Sequence, residues 1–191
     1  MGRCVVCHAQ LLLTEKLILC SPCFLLLKPA KQQGPGTTIY RYEKTLRGLI
    51  LASKLHGNEN AARFLLTTIL KRPKAMAELT WCQEIMPAPS SFYSRLCGRF
   101  DLAFFLAREL ARVCQKPLVF ASSRLYWQIF KQSRKKIRPL IQLSAPKPGL
   151  KRTLIIDDVI TSGSTIQKIA TSLKASSPRF LVIGDGRTFQ K

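Results

Sequence analysis

Residues 153–165 read TLIIDDVITSGST: an apolar run, two adjacent carboxylates, two more apolar residues, then hydroxyls around a single glycine. A short apolar run bounded by turn signals reads as a buried strand, here 153–158. The two acids are harder to place. The chain carries 31 Lys and Arg against 10 Asp and Glu, a formal net charge of +21, yet two of its ten carboxylates stand side by side. Like charges in contact oppose each other's ionisation, so the pair asks for a ligand or a cation.

The neighbouring segments say what kind of sheet this strand belongs to. TIYRY at 38–42 alternates as a strand, and leucine and isoleucine spacing predicts helices over 43–55 and 60–72, the second stopped by Pro73. WCQEIM at 81–86 reads as a strand running into Pro87, Ala88 and Pro89. Residues 101–115 give the clearest amphipathic helix, with Asp101 placed to cap it. PLVFA at 117–121 reads as a short strand, 165–175 as a helix and RFLVIG at 179–184 as another strand. Helices alternating with apolar strands predict an α/β domain, a mainly parallel sheet covered on both faces.

Ligands of open α/β sheets bind beyond the carboxyl ends of the strands, and Asp157 and Asp158 fall where the predicted strand ends. Side chains alternate across a strand, so the two carboxylates point to different sides unless the backbone turns there. Such a pair can bracket a vicinal diol or anchor a hydrated Mg2+. Thr161, Ser162, Gly163, Ser164 and Thr165 follow, offering hydroxyls and backbone N–H groups just before a predicted helix N-terminus, which favours an anion. Gly163 permits the backbone that lets amides converge on one phosphate. A diol and a phosphate on one molecule describe a ribose 5-phosphate. Acids also end Walker B strands, but the chain has no G-x-x-x-x-G-K-[ST], so an ATPase lacks its other half.

At the front, Cys4, Cys7, Cys20 and Cys23 form C-x2-C-x12-C-x2-C. Each C-x2-C turn aims two thiolates at one point, and two turns supply the four sulfurs of a tetrahedral, closed zinc site. The metal is expected to be structural, since residues 1–30 are too few to hold a core of their own. His8 reads as a bystander, and Cys82, Cys97 and Cys114 as small buried apolar groups. KPAKQQGPGTT at 28–38 reads as the linker from this knuckle to a main domain over 31–191.

The positive charge is uneven. No Asp or Glu lies between Leu110 and Ile156. Such a stretch repels itself unless an anion neutralises it, and nucleic acid is the first candidate, ahead of an acidic membrane or protein; a generally basic proteome is the plain alternative. Within it, RLYWQIFKQSRKKIR at 124–138 interleaves Tyr126, Trp127 and Phe130 with Arg124, Lys131, Arg134, Lys135, Lys136 and Arg138. Rings for stacking and cations for phosphates are what unspecific single-strand binding uses. Trp127, Phe130 and Arg134 also fall at i, i+3 and i+7, which a buried helix would produce. No apolar run approaches the length of a membrane span, and the chain reads as cytoplasmic.

Together these motifs resemble the ComF family, which includes ComFC-type competence proteins and GntX-like proteins. Residues 154–165 look like the phosphoribosyl diphosphate signature of type I phosphoribosyltransferases. IYRYEKTLRGLILASKLHG at 39–57 resembles a family segment at Tyr42, Leu46, Arg47, Lys54 and Gly57, and MPAPSSFYSR at 86–95 resembles its proline-rich pyrophosphate loop. The family's R-G-F-N-Q stands here as Gly98-Arg99-Phe100-Asp101-Leu102, its amides gone, and its E-R-x-x-N region is only echoed by SRKKIRPL. The resemblance implies a type I phosphoribosyltransferase-like sheet behind the knuckle, with Asp157 and Asp158 on the ribose, residues 161–165 on the 5′-phosphate and Pro87 and Ala88 in the pyrophosphate loop. It further implies a cytoplasmic role in handling transforming single-stranded DNA, with a ComF helicase-like ATPase as partner and peripheral membrane association through the uptake channel. The alternative is an active, Mg2+-dependent transferase acting on a nitrogen acceptor; whether the chain is an enzyme stays open at this point.

Overall fold

A computed structural model describes residues 2–11, 18–32, 36–89, 100–120, 152–161 and 178–187. Its strands are β1 (Gly36–Arg41), β2 (Glu84–Pro87), β3 (Thr153–Ile160) and β4 (Arg179–Asp185), in the order β1-β4-β3-β2 with every neighbouring pair parallel. The short α1 (Ser21–Leu25) precedes β1. Helices α2 (Lys44–His56), α3 (Glu59–Leu70) and α4 (Pro73–Trp81) connect β1 to β2, and α5 (Leu102–Val113) follows β2. The mainly parallel α/β sheet expected from the sequence is present.

Local chemistry sets the helix ends. The Asn58 side chain accepts the Ala61 N–H at 3.1 Å to start α3, and Asp101 accepts the Phe104 N–H at 3.0 Å to start α5, as its position predicted. Gly57 ends α2 in the left-handed conformation at φ 59°. Pro73 does more than stop a helix: it opens α4, where its missing N–H costs nothing. Trp81 therefore closes a helix, and the strand predicted over 81–86 runs instead from Glu84 to Pro87. The strand predicted over 117–121 reduces to one parallel bridge, Ile85 to Leu118, in which Ile85 donates to Pro117 O at 3.0 Å and accepts from Val119 N at 2.9 Å. The helix predicted over 165–175 lies outside the described residues.

Alternation along the strands makes two cores. Leu154, Ile156, Leu181 and Ile183 face one side, where they join Leu46, Leu49, Ile50, Leu65, Ile69, Leu106 and Leu110 of the helices. Ile155, Phe180 and Val182 face the other side with Met86 and Ala88. Each fully buried Leu or Ile contributes about 1.5–3 kcal/mol. One contact is very close: Gly36, at φ 151°, has no room for a Cβ, which would stand 2.5 Å from Phe180 O.

The cysteine segment belongs to the same mass of side chains. Cys4, Leu19, Cys20 and Cys23 lie within the larger core. Val6 fits against α2 where Gly48 leaves space; a Cβ there would sit 3.1 Å from Val6 Cγ1. Of the segment read as a linker, Lys28 and Ala30 lie beside β1, with Arg41 N donating to Lys28 O at 2.9 Å and Ala30 N to Ile39 O at 3.2 Å, and residues 36–38 belong to β1 itself.

Candidate functional site

The chain leaves β2 outward, toward the Leu118 bridge, but leaves β3 in the opposite sense, toward β4. Between the carboxyl ends of β2 and β3 the direction of winding therefore reverses, which is where open parallel sheets form a ligand crevice. β2 pairs with β3 only as far as Pro87 opposite Ile156, and Ala88 N donates to Ile156 O at 2.7 Å. The next two residues of β3 are Asp157 and Asp158, just beyond the end of β2.

The strand predicted to end at the acids, β3, runs on past them: Val159 pairs with Gly184 and Ile160 with Asp185, so these apolar residues carry the ladder two positions further on the β4 side. The acids are held by continuous strand on one side and, among the described residues, have no strand neighbour on the other.

Alternation places Asp158 on the α2 side and Asp157 on the side of Ile155. Asp158 is buried; its Oδ1 accepts the Val159 N–H at 3.0 Å, and its Oδ2 is paired with the Lys54 ammonium from the last turn of α2. Asp157 is partly buried, and its Oδ1 accepts the Asp158 N–H at 2.8 Å. Among the described residues no cation forms a salt bridge with it. Burial, and then the Asp158 carboxylate beside it, push the Asp157 carboxyl well above the ordinary value, while the charge of Lys54 works against the rise. Among the described residues, one acid of the crevice thus has a protein counter-ion and the other has none.

Pro87 and Ala88, assigned to the pyrophosphate loop, are buried at the end of β2 and adjoin the acids. Thr161 is exposed just past β3, beside Gly186, whose N–H donates to Ile160 O at 2.8 Å. Ser162, Gly163, Ser164 and Thr165 lie outside the described residues, as do Arg124, Tyr126, Trp127, Lys131, Arg134, Lys135, Lys136 and Arg138.

The sequence did not single out Lys54 as part of the site, although it stands in a segment with a family resemblance; its contact with Asp158 depends on how α2 docks. Gly184 makes that docking possible. A Cβ there would meet Leu46 at 3.0 Å and Tyr42 at 3.2 Å. A second missed feature closes the same end of the sheet: buried Asp185 receives a two-pronged hydrogen bond from Arg187, at 2.9 and 2.8 Å. Burial works to raise this carboxyl, but the guanidinium holds it below the ordinary range.

At the other end of α2 the four cysteines converge. Their sulfurs all lie within 4.8 Å of one another, and Cys7 Sγ is 3.5 Å from Cys20 Sγ. A tetrahedral zinc with bonds of about 2.3 Å needs sulfurs about 3.8 Å apart, so the set fits a metal. The two turns are built alike: His8 N donates to Cys4 O at 2.9 Å and Phe24 N to Cys20 O at 3.0 Å. Burial opposes ionisation of Cys4, yet the backbone N–H groups of Cys7, Cys20 and Val6 bring it down to about 6. Burial, and then the neighbouring sulfurs, push Cys23 up. His8, at φ 61°, closes a turn and is exposed, and Cys82 is buried as a small apolar group. Cys114 is half-buried, and Cys97 lies outside the described residues.

No family model matches this chain, and no curated protein matches it. Among solved structures it is similar to orotate phosphoribosyltransferase from Aeropyrum pernix, with 19% sequence identity and a TM-score of 0.46. The match covers 73% of this chain and 64% of that one, so the chain spans less than two thirds of that protein's length. Among the described residues no helix is long and apolar enough to cross a membrane.

Proposed function

We propose that the crevice between β2 and β3 binds a phosphorylated ribose, phosphoribosyl diphosphate being the compound its sequence signature suits best. The observation that carries this reading is the placement of Asp157 and Asp158 at the winding reversal, one on each side of β3 and past the end of β2. A vicinal diol presents two donors to two acceptors there. Residues 161–165 supply the phosphate loop in this reading, and Pro87 and Ala88 border the pyrophosphate. Mg2+ would arrive with the diphosphate, its charge offsetting the paired acids. Zinc on Cys4, Cys7, Cys20 and Cys23 completes the knuckle and plays no part in the chemistry, having no open position.

The role proposed for this pocket-bearing protein is the handling of incoming single-stranded DNA in the cytoplasm, with a helicase-like ATPase as the partner the ComF resemblance implies. Its support is the acid-free, aromatic and basic run at 124–138. Transferase activity is the second reading, favoured by the paired acids beside the buried Pro87 and Ala88. In thermal unfolding, Mg2+ with phosphoribosyl diphosphate should raise the midpoint of the wild type and leave the Asp157→Asn, Asp158→Asn double variant unmoved. Equal shifts in both proteins would remove the acids from the site. For the DNA role, anisotropy of a labelled oligonucleotide should fall steeply with salt; binding no tighter than a basic control protein of matched charge would favour the transferase.

A further inference from the structure

Lys54 forms the contact between α2 and the acid pair. Its side chain is 41% exposed, whereas that of Asp158 is 10% exposed, so the ammonium stands at the mouth of the crevice and the carboxylate beneath it. Asp158 Oδ1 is committed to the Val159 N–H at 3.0 Å. Oδ2 is buried and, apart from Lys54, has no hydrogen-bond partner among the described residues. Leu46 and Tyr42 of the same segment close over Gly184, and Gly57 ends the helix three residues after Lys54.

We propose that Lys54 is a positioning residue of the ribose site, holding the Asp158 carboxylate in the orientation from which Oδ2 accepts a sugar hydroxyl. This rests on the reading of the crevice as a ribose-binding site. A carboxylate oxygen has two lone-pair sites, so a hydroxyl can share the buried Oδ2 with Lys54 once the half-exposed ammonium shifts outward to uncover it. With the lysine removed, nothing holds Oδ2 toward the mouth, and an unpaired buried carboxylate turns or neutralises instead. Lys54 thus makes the acid selective for a hydroxyl at one ring position, and acts on the sugar only through Asp158.

The test is a calorimetric comparison of ribose 5-phosphate with its 2-deoxy and 3-deoxy analogues, on full-length wild type, K54M, K54R and D158N. Wild type is expected to bind one deoxy analogue about tenfold or more weakly, the penalty for leaving a charged acceptor unpaired. K54M should shrink that penalty to about twofold or less, at the same hydroxyl as D158N, with affinity for that deoxy analogue unchanged. K54R, which keeps the charge, should retain most of the discrimination. A K54M protein with the wild-type penalty overturns the role of Lys54 and leaves the ribose site standing. Equal losses for all three sugars in both K54M and K54R also overturn it, because a lysine acting on the phosphate or on folding would weaken every ligand alike. Wild type binding none of the three overturns the ribose site and the assignment together.

Discussion

At the scale of single residues, the acid pair shows how a basic chain keeps two carboxylates usable. Asp158 borrows Lys54, while among the described residues Asp157 has a backbone N–H and the unfavourable company of its neighbour. The raised Asp157 carboxyl fixes the sign of a stability effect. Its folded pKa lies above the unfolded value, so the protonated form favours folding, and stability falls as pH rises from the ordinary carboxylate range through the raised value. Asp157→Asn lacks that fall, and should make the ligand-free protein about 1 kcal/mol more stable at neutral pH while abolishing ribose binding. Urea midpoints measured from acid to neutral pH would check it; a variant less stable than wild type at neutral pH would mean the carboxylate is already well satisfied. The sequence displayed the two acids and the hydroxyl loop without ambiguity. It could not display Lys54, because a contact across about a hundred residues depends on the docking of α2.

At the scale of elements, the sequence was legible where periodicity and caps agreed. Asp101 and the stripe of α5 and the apolar run of β4 stand where the pattern put them, whereas β1, expected as an alternating strand over 38–42, runs over Gly36–Arg41 with four successive residues buried. It was not legible where one residue type serves two ends. Pro73 is read as a stop signal, yet it also starts α4, and Trp81, an aromatic that favours strands in general, closes that helix with Arg179 stacked on its ring at 4.2 Å. β3 outran its prediction because the carboxylates looked like a terminus, whereas the ladder to Gly184 and Asp185 continues past them. The joint of β1 with β4 is the most sensitive point in the sheet. At Gly36 a methyl group would strike Phe180 backbone atoms that cannot rotate away, at a φ that L side chains rarely adopt. Gly36→Ala is therefore expected to cost about 2–4 kcal/mol, read as a lower urea midpoint with an unchanged slope. A loss below about 0.5 kcal/mol would mean that β1 can shift along β4 at little cost.

At the scale of the whole molecule, α2 links the two places where the chain concentrates its chemistry. Val6 of the cysteine segment sits on Gly48 near one end, and Lys54 meets Asp158 near the other. Because Cys4, Cys20, Cys23 and Leu19 share the main core, metal removal should not be a local event. A chelator that strips zinc is expected to lower the urea midpoint of the whole protein and release one equivalent of metal, since binding energy at such a site is folding energy. An unchanged midpoint after complete removal would make the knuckle independent of the sheet. Calorimetric titration of Mg2+ and phosphoribosyl diphosphate would show whether Asp157 and Asp158 recognise a ribose phosphate. One site per chain is expected in the wild type, with at least about a hundredfold weaker binding when both acids are changed to asparagine. A double variant that binds as tightly as wild type would contradict that recognition.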